Sequence, residues 1–587
     1  MYIEKIHGPQ DVKKLNEDEL VELADEMRKA LIKRASIHMG HVGPDLGFIE
    51  PTIALHYVFD SPKDKIVYDI SHQTYPHKML TGRKDAYLYE EHYNDVSAYS
   101  NPKESEHDYF EIGHTSVSID LALGMAKARD LTGKEGNVIA VIGDGSLSGG
   151  EALEGLNIAG EFDRNFIIVF NDNQMSIAEN HGGMYRSLKA LRESNGTASD
   201  NLFKAMGLDY IYVQNGNEIH DLIQAFSSVK DSTKPVVVHI NTLKGKGLKF
   251  AEDNKEQWHW HLPFHLDTGE VKPEYQWDGE NYSDITTNFL LAKMKKDPSV
   301  VVVTSGVPGT AGFTPAKRQE AGKQFMDVGI AEQSGVAVAS GIAKNGGKPV
   351  YFTEATFIQR AYDQIAQDVS INHSPITILA FDGSIYGMSD VTHVGFYDLA
   401  MMSNIPDVVY LAPASKEEYL AMLDWSIEQQ EHPVVIRVPA VDVCTADYPV
   451  RTYYDKIGKF TVTKQGNRVA IIAPGTFYTM GQEAVQLLSE KYQVNATLIN
   501  PGFVSHIDEE LLEELKKDHQ LVAVLEDGVI EGGFSPKIGM YYANSDMKVL
   551  AFGLKKAFYD MYDTEALLEE NHLTPKHIAE DIMKSCL

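Results

Sequence analysis

The chain is expected to fold as α/β, with three doubly wound domains in series, and three observations lead there. Short apolar runs alternate with stretches of helical periodicity, the pattern of a parallel sheet covered by helices. Two of those runs, Asn137-Val-Ile-Ala-Val-Ile142 and Phe166-Ile-Ile-Val-Phe170, are apolar nearly throughout, as strands buried on both faces are. At 587 residues the chain exceeds what one core can hold, and two to four domains are expected.

In chain order, residues 14–34 read as a helix. Leu20, Leu23, Met27 and Leu31 share a face, with acidic residues early and basic ones late. Strands follow at 66–70, 137–142, 166–170, 210–213 and 235–240. The stretch Gly149 to Glu161 has helical spacing of Ala152, Leu153, Leu156 and Ala159. A polar, aromatic, proline-bearing segment at 265–284 reads as a linker. A second series begins at Val300-Val-Val-Val-Thr304, continues through 349–353, 376–381 and 407–411, and ends near Arg437. A third starts at Val469-Ala-Ile-Ile-Ala-Pro474 and runs through 495–499, 521–525 and 548–551. The expected domains are residues 1–270, 285–445 and 455–587.

The net charge of −31 argues against nucleic acid and anionic membrane surfaces as partners. It leaves small-molecule substrates open, since a cationic pocket can sit in an acidic surface. The two cysteines, Cys444 and Cys586, make neither a disulfide framework nor a metal-spaced pair. The first residues carry no apolar signal core, and no stretch is long enough to span a bilayer, so a cytoplasmic protein is expected.

Gly143-Asp144-Gly145 follows the first buried run, and Asn171-Asp172-Asn173 closes the second. Asp144 and Asn173 are therefore expected at the carboxyl ends of neighbouring strands, where open α/β sheets bind ligands. A carboxylate and an amide oxygen there can hold a hard divalent cation together with phosphate oxygens. A lone Gly-Asp-Gly is a common turn, and the spacing is not that of a dinucleotide fold. The pairing of the two motifs across two strong strands is much more specific.

This spacing resembles the thiamine-diphosphate motif, and further segments resemble the 1-deoxy-D-xylulose-5-phosphate synthase branch of the transketolase family. They are Ala54-Leu-His-Tyr-Val-Phe59, Ser71-His-Gln-Thr-Tyr-Pro-His-Lys-Met-Leu-Thr-Gly-Arg83, Gly113-His-Thr-Ser116, Asn171-Asp-Asn-Gln-Met-Ser176, Asp327-Val-Gly-Ile-Ala-Glu-Gln333 and Thr356-Phe-Ile-Gln-Arg-Ala-Tyr-Asp-Gln364. The resemblance implies a diphosphate-binding, a pyrimidine-binding and a C-terminal domain, matching the three series. It implies thiamine diphosphate and Mg²⁺ as cofactors and a homodimer. The implied reaction joins pyruvate and glyceraldehyde 3-phosphate with loss of CO₂, a precursor step for isoprenoids and thiamine. Ketol transfer between other sugars is the alternative. A non-catalytic cofactor-binding paralogue is a third reading, which Glu332, His41 and His72 argue against.

By the same resemblance Asp144, Asn173 and the main-chain oxygen of Met175 are the metal ligands. Gly113, His114, Thr115, Gly145, Ser146 and His72 contact the cofactor. Glu332 hydrogen-bonds the aminopyrimidine, and Phe357 packs on it. His41, His72, His259 and His393 match family active-site histidines, suited to moving protons near neutral pH; His261 could replace His259. Arg360 and Arg437 match arginines near the substrate phosphate, where guanidinium forks bind well, and His41 and His393 also line the substrate side.

Three segments depart from the family pattern. The Asp-Arg-Ala-Gly stretch is here Asp382-Gly-Ser, one residue shorter and without its arginine. A family tyrosine aligns with Glu354, which would add a negative charge near the acceptor. The long insertion after the Asn-Asp-Asn strand is curtailed near residues 184–200.

Overall fold

The computed structural model describes residues 1–586. The chain divides into two compact units. The first comprises Met1–Asp278 with Gly329–Ala331; the second comprises Gly279–Val328 with Glu332–Leu587.

The first unit is built on five parallel strands: β1 (Lys65–Tyr68), β2 (Val138–Gly143), β3 (Phe166–Asp172), β4 (Asp209–Val213) and β5 (Pro235–Asn241). Their order is β1-β2-β3-β5-β4. The strands alternate their buried residues between two cores. Ala140, Ile142, Ile168 and Phe170 join the core that holds Ala122, Leu156 and Leu191. Ile139, Val141, Ile167 and Val169 join the opposite core with Leu55, Leu222 and Phe226. Burial on both faces is what the continuous apolar runs call for.

The expected first helix is Glu17–Ala35, starting three residues late because Asn16 caps it. Asn16 Oδ1 accepts from Glu19 N, and the Glu19 carboxylate accepts from Asn16 N, a reciprocal capping box. The helix Gly150–Ala159 joins β2 to β3.

The second unit holds two sheets. One contains β6 (Val300–Thr304), β7 (Phe325–Asp327), β8 (Lys348–Glu354), β9 (Thr377–Phe381), β10 (Val409–Leu411) and β11 (Val434–Arg437), all parallel, in the order β10-β11-β9-β8-β6-β7. The other contains β12 (Thr461–Lys464), β13 (Arg468–Ile472), β14 (Thr497–Asn500), β15 (His519–Val529) and β16 (Lys548–Leu554), in the order β12-β14-β13-β15-β16. Only β12 runs antiparallel, to β14. One core is common to both sheets: Tyr351, Ile378 and Tyr410 of the first lie in a single cluster with Ile472, Ile499 and Val524 of the second.

Several short strands escaped the sequence reading, the two-residue pair Gly40–His41 and Trp260–His261 among them. β7 has three residues and none fully buried; β12 alternates polar and apolar at a sheet edge. The helix Tyr282–Lys296 begins inside the segment read as linker, because Asn281 accepts a hydrogen bond from Asp284 N. Among the described residues no helix is long and apolar enough to cross a membrane.

Candidate active site

In the first unit, Gly143 pairs with Asn171 across β2 and β3, and Asp144 N–H donates to Asn171 O at 3.1 Å. Both motifs thus leave the sheet side by side at its carboxyl end. The Asp144 side chain is buried. Its Oδ2 accepts from Asn180 Nδ2 at 2.7 Å, and its main-chain oxygen accepts from Tyr185 Oη at 2.8 Å. Burial, followed by the charge of Asp172, pushes the Asp144 carboxyl up to about 7. A cation beside it would reverse that. Asn173 Oδ1 accepts from Met175 N at 3.2 Å, and Gln174 between them turns the chain at φ +66°.

Two glycines are required by close approach. A Cβ on Gly145 would lie 2.8 Å from Ser176 Oγ, and one on Gly149 would lie 2.1 Å from Ser116 Oγ. The loop Gly113–Ser116 is pinned against them by Asp69, whose carboxylate accepts from Ser116 N at 2.7 Å and Ser118 N at 2.9 Å, while Ser116 Oγ donates to Ser146 O at 2.7 Å. Thr115 and Ser146 are buried in this cradle, with His114 half-buried beside them. Ser176 Oγ and Asn180 Oδ1 are buried with no hydrogen-bond partner. Orphaned polar atoms are rare in folded proteins, and these flank the carboxylate and cradle that a cation and a diphosphate need, so the residues present fit both groups.

His41, His72 and His259 cluster beside this cradle. Their ring centroids are 4.8 Å (His41–His72), 5.6 Å (His41–His259) and 5.1 Å (His72–His259) apart. Gly40–His41 is brought there by antiparallel pairing with Trp260–His261. His261 goes elsewhere: it stacks on Trp258 at 4.0 Å and donates from Nδ1 to Leu262 O at 2.7 Å. Of the two, His259 is the one that joins His41 and His72.

Lys244 was not singled out from the sequence. It is buried, and its Nζ donates to Ser176 O at 2.7 Å and to His259 Nδ1 at 3.0 Å. His259 therefore carries its proton on Nε2. Burial drops the Lys244 ammonium to about 7, against the pull of Asp144, and burial and Lys244 hold His259 well below its usual range. The readable signal was Thr242-Leu-Lys-Gly-Lys-Gly247, a lysine in a glycine-bearing loop directly after β5.

In the second unit, Glu332 opens the helix Glu332–Lys344. It is 3% exposed; its Oε2 has no hydrogen-bond partner and lies 3.9 Å from Arg360 Nη1. Burial raises its pKa, and Arg360 opposes the rise. Phe357 lies on the short helix Ala355–Ile358 after β8, edge-on to His393 with centroids 5.7 Å apart. His393 Nδ1 is 2.8 Å from Thr392 Oγ1 and 3.7 Å from Asp390 Oδ1.

Two expectations change here. Arg437 does not present an open fork. Its Nε and Nη2 donate to Asp398 at 2.8 and 3.0 Å, and Nη2 and Nη1 reach Asp527 O and Oδ2 at 2.7 and 3.3 Å. It is the counter-ion of two buried carboxylates. Glu354 does not add a full negative charge. Buried at the end of β8, it accepts from Thr310 Oγ1 at 3.1 Å, and its register partner Phe381 directly precedes Asp382. Burial first, then Asp382, pushes Glu354 up to about 8, so it is mostly protonated at neutral pH.

Profiles of known families match the chain in sequence. The N-terminal domain of 1-deoxy-D-xylulose-5-phosphate synthase matches residues 3–200, and the thiamine diphosphate-binding domain of transketolase matches 124–301. The transketolase pyrimidine-binding and C-terminal domains match 279–444 and 458–578. A 1-deoxy-D-xylulose-5-phosphate synthase of Symbiobacterium thermophilum is 35% identical over 99% of this chain and 94% of its own length. The chain belongs to the 1-deoxy-D-xylulose-5-phosphate synthase family. A second synthase, from Clostridium beijerinckii, is also 35% identical, over 99% of both chains. The synthase-type fold, the transferase class and thiamine diphosphate as cofactor therefore stand, and ketol transfer between other sugars is not favoured.

Proposed function

We propose that this synthase-family chain condenses pyruvate with glyceraldehyde 3-phosphate, releasing CO₂ and forming 1-deoxy-D-xylulose 5-phosphate, with Mg²⁺ joining the cofactor to the protein. The observation that supports it most is the buried Glu332 carboxyl with an unpartnered oxygen, poised to hydrogen-bond a ring nitrogen. Asp144, Asn173 Oδ1 and Met175 O would hold the cation, three oxygens with phosphate oxygens completing the shell. Main-chain N–H groups of Gly113–Thr115, Gly145 and Ser146 would meet the diphosphate, and Lys244 adds a buried positive charge. An arriving anion favours the charged lysine over its neutral form.

When bound, thiamine diphosphate supplies the nucleophilic carbon and the electron sink. Glu332 orients the aminopyrimidine and holds a proton at its ring nitrogen, with Phe357 packed on the ring. His259, with its proton on Nε2, can donate to a substrate carbonyl oxygen, and His41, His72 and His393 are the further imidazoles assigned to the substrate. Arg360 is the cation we assign to substrate phosphate, since Arg437 is committed to Asp398 and Asp527. A homodimer in the cytoplasm is part of this reading.

Purified chain with pyruvate and glyceraldehyde 3-phosphate should release CO₂ in proportion to product. Turnover of ketose donors without CO₂ from pyruvate would overturn the reaction; no turnover with any donor would favour the non-catalytic reading.

A further inference from the structure

The segment after β3 does more than connect. It folds into the helix Met184–Glu193, which sends side chains back onto both cofactor motifs. Tyr185 Oη donates to the main-chain oxygen of Asp144 at 2.8 Å. Seven residues on, and so on the same face of the helix, Arg192 pairs through Nη1 with Asp172 Oδ2. Asp172 is fully buried between Asp144's strand neighbour Asn171 and the expected ligand Asn173. Its Oδ2 also accepts from His239 Nε2 at 3.0 Å, and Tyr210 Oη donates to His239 Nδ1 at 2.8 Å. Ahead of the helix, Asn180 reaches Asp144 Oδ2. Three residues of one short segment thus grip the Gly-Asp-Gly and Asn-Asp-Asn motifs.

We propose that Tyr185 and Arg192 are positioning residues that hold Asp144 and the Asn171–Asn173 turn in cation-binding geometry before any ligand arrives. Tyr185 fixes the Asp144 backbone from outside the sheet. Arg192 fixes the middle residue of the second motif, so that Asn173 cannot swing away from Asp144. Neither side chain touches a reacting atom. Preorganisation of this kind lowers the ordering cost of binding and therefore appears in affinity. The helix is anchored by Leu188 and Leu191 in the sheet's core, and rigid helices position side chains better than loops do.

This inference rests on the proposed thiamine diphosphate–Mg²⁺ reading. The test is calorimetry of the full chain stripped of ligands, titrated with thiamine diphosphate at fixed Mg²⁺ and with Mg²⁺ at fixed thiamine diphosphate. Tyr185→Phe should weaken Mg²⁺-dependent binding about five- to tenfold, the range for one lost hydrogen bond. Arg192→Met should weaken it more, and Arg192→Lys should recover part of the loss. The ligand-free Tm of Tyr185→Phe should match wild type, and kcat at saturating cofactor should stay within about twofold, because the groups lost act on binding alone. Wild-type affinity in both Tyr185→Phe and Arg192→Met would overturn the inference and leave the function standing. Failure of the wild-type chain to bind thiamine diphosphate would overturn the function, and the inference with it.

Discussion

The residues around Asp144 and those around Glu332 are organised by opposite means. In the first group the working atoms are mostly backbone: loops meet so closely that Gly145 and Gly149 admit no side chain, and buried side chains such as Asp69 serve to hold N–H groups in place. In the second group the working atoms are side chains whose charge is set by burial, an effect the first group shares at Asp144 and Lys244. Glu332, Glu354 and Asp382 all have carboxyls pushed upward by desolvation. Geometry can be inherited through glycine spacing, but charge state depends on every neighbour. The first group should therefore fail abruptly when a ligand is removed, and the second should respond in graded, pH-dependent ways.

The largest expected effect is at Asp144. Asp144→Ala should lower Mg²⁺-dependent thiamine diphosphate affinity by about 100-fold or more, since the diphosphate loses the cation that neutralises it. Calorimetry showing wild-type affinity would remove Asp144 from the metal site. Glu332→Ala should leave that affinity within about tenfold while kcat falls about 10²- to 10⁴-fold, the usual span for a proton-handling group. Hydrogen–deuterium exchange at C2 of bound cofactor at the wild-type rate would break the assignment.

The two arginines should separate. Arg437→Ala strands Asp398 and Asp527 as buried unpaired carboxylates and should destabilise the fold by about 3–5 kcal/mol, read in the Tm. Arg360→Ala, which takes one cation from beside the buried Glu332, should lower the Tm less than Arg437→Ala does and reduce kcat/KM for glyceraldehyde 3-phosphate at least about tenfold, with unphosphorylated glyceraldehyde less affected. Equal losses for both aldehydes would show that Arg360 does not read the phosphate.

The smallest effect concerns Glu354. Its folded pKa near 8 lies above the ordinary 4.5. The folded chain then binds more protons than the unfolded one between those values, so this residue makes stability fall as pH rises from 4.5 towards 8, and nothing further is lost above that. Glu354→Gln should remove this contribution, reducing the Tm drop between about pH 5 and pH 9 by about 3 °C. An unchanged Tm profile would mean that Glu354 is ionised in the folded chain.

The sequence by itself determined the α/β class, the strands on which both cofactor motifs end and the placing of Asp144 beside the Asn171–Asn173 turn. Those follow from local rules: continuous apolar runs, helical spacing between them, and glycines where chains must nearly touch. It could not say which of His259 and His261 joins His41 and His72, because that follows from a two-residue strand pairing and the stacking of His261 on Trp258. It also missed Lys244, which becomes informative only once β5 delivers it to His259 and Ser176. Arg437 looked like a phosphate ligand because an arginine's availability is not written in its own position. Asp398 and Asp527, 39 and 90 residues away, occupy it. Glu354 looked like a charge for the same reason. Whether a buried group is paired, neutral or ready for a ligand depends on desolvation and on partners distant in the chain, and only the tertiary structure brings those together.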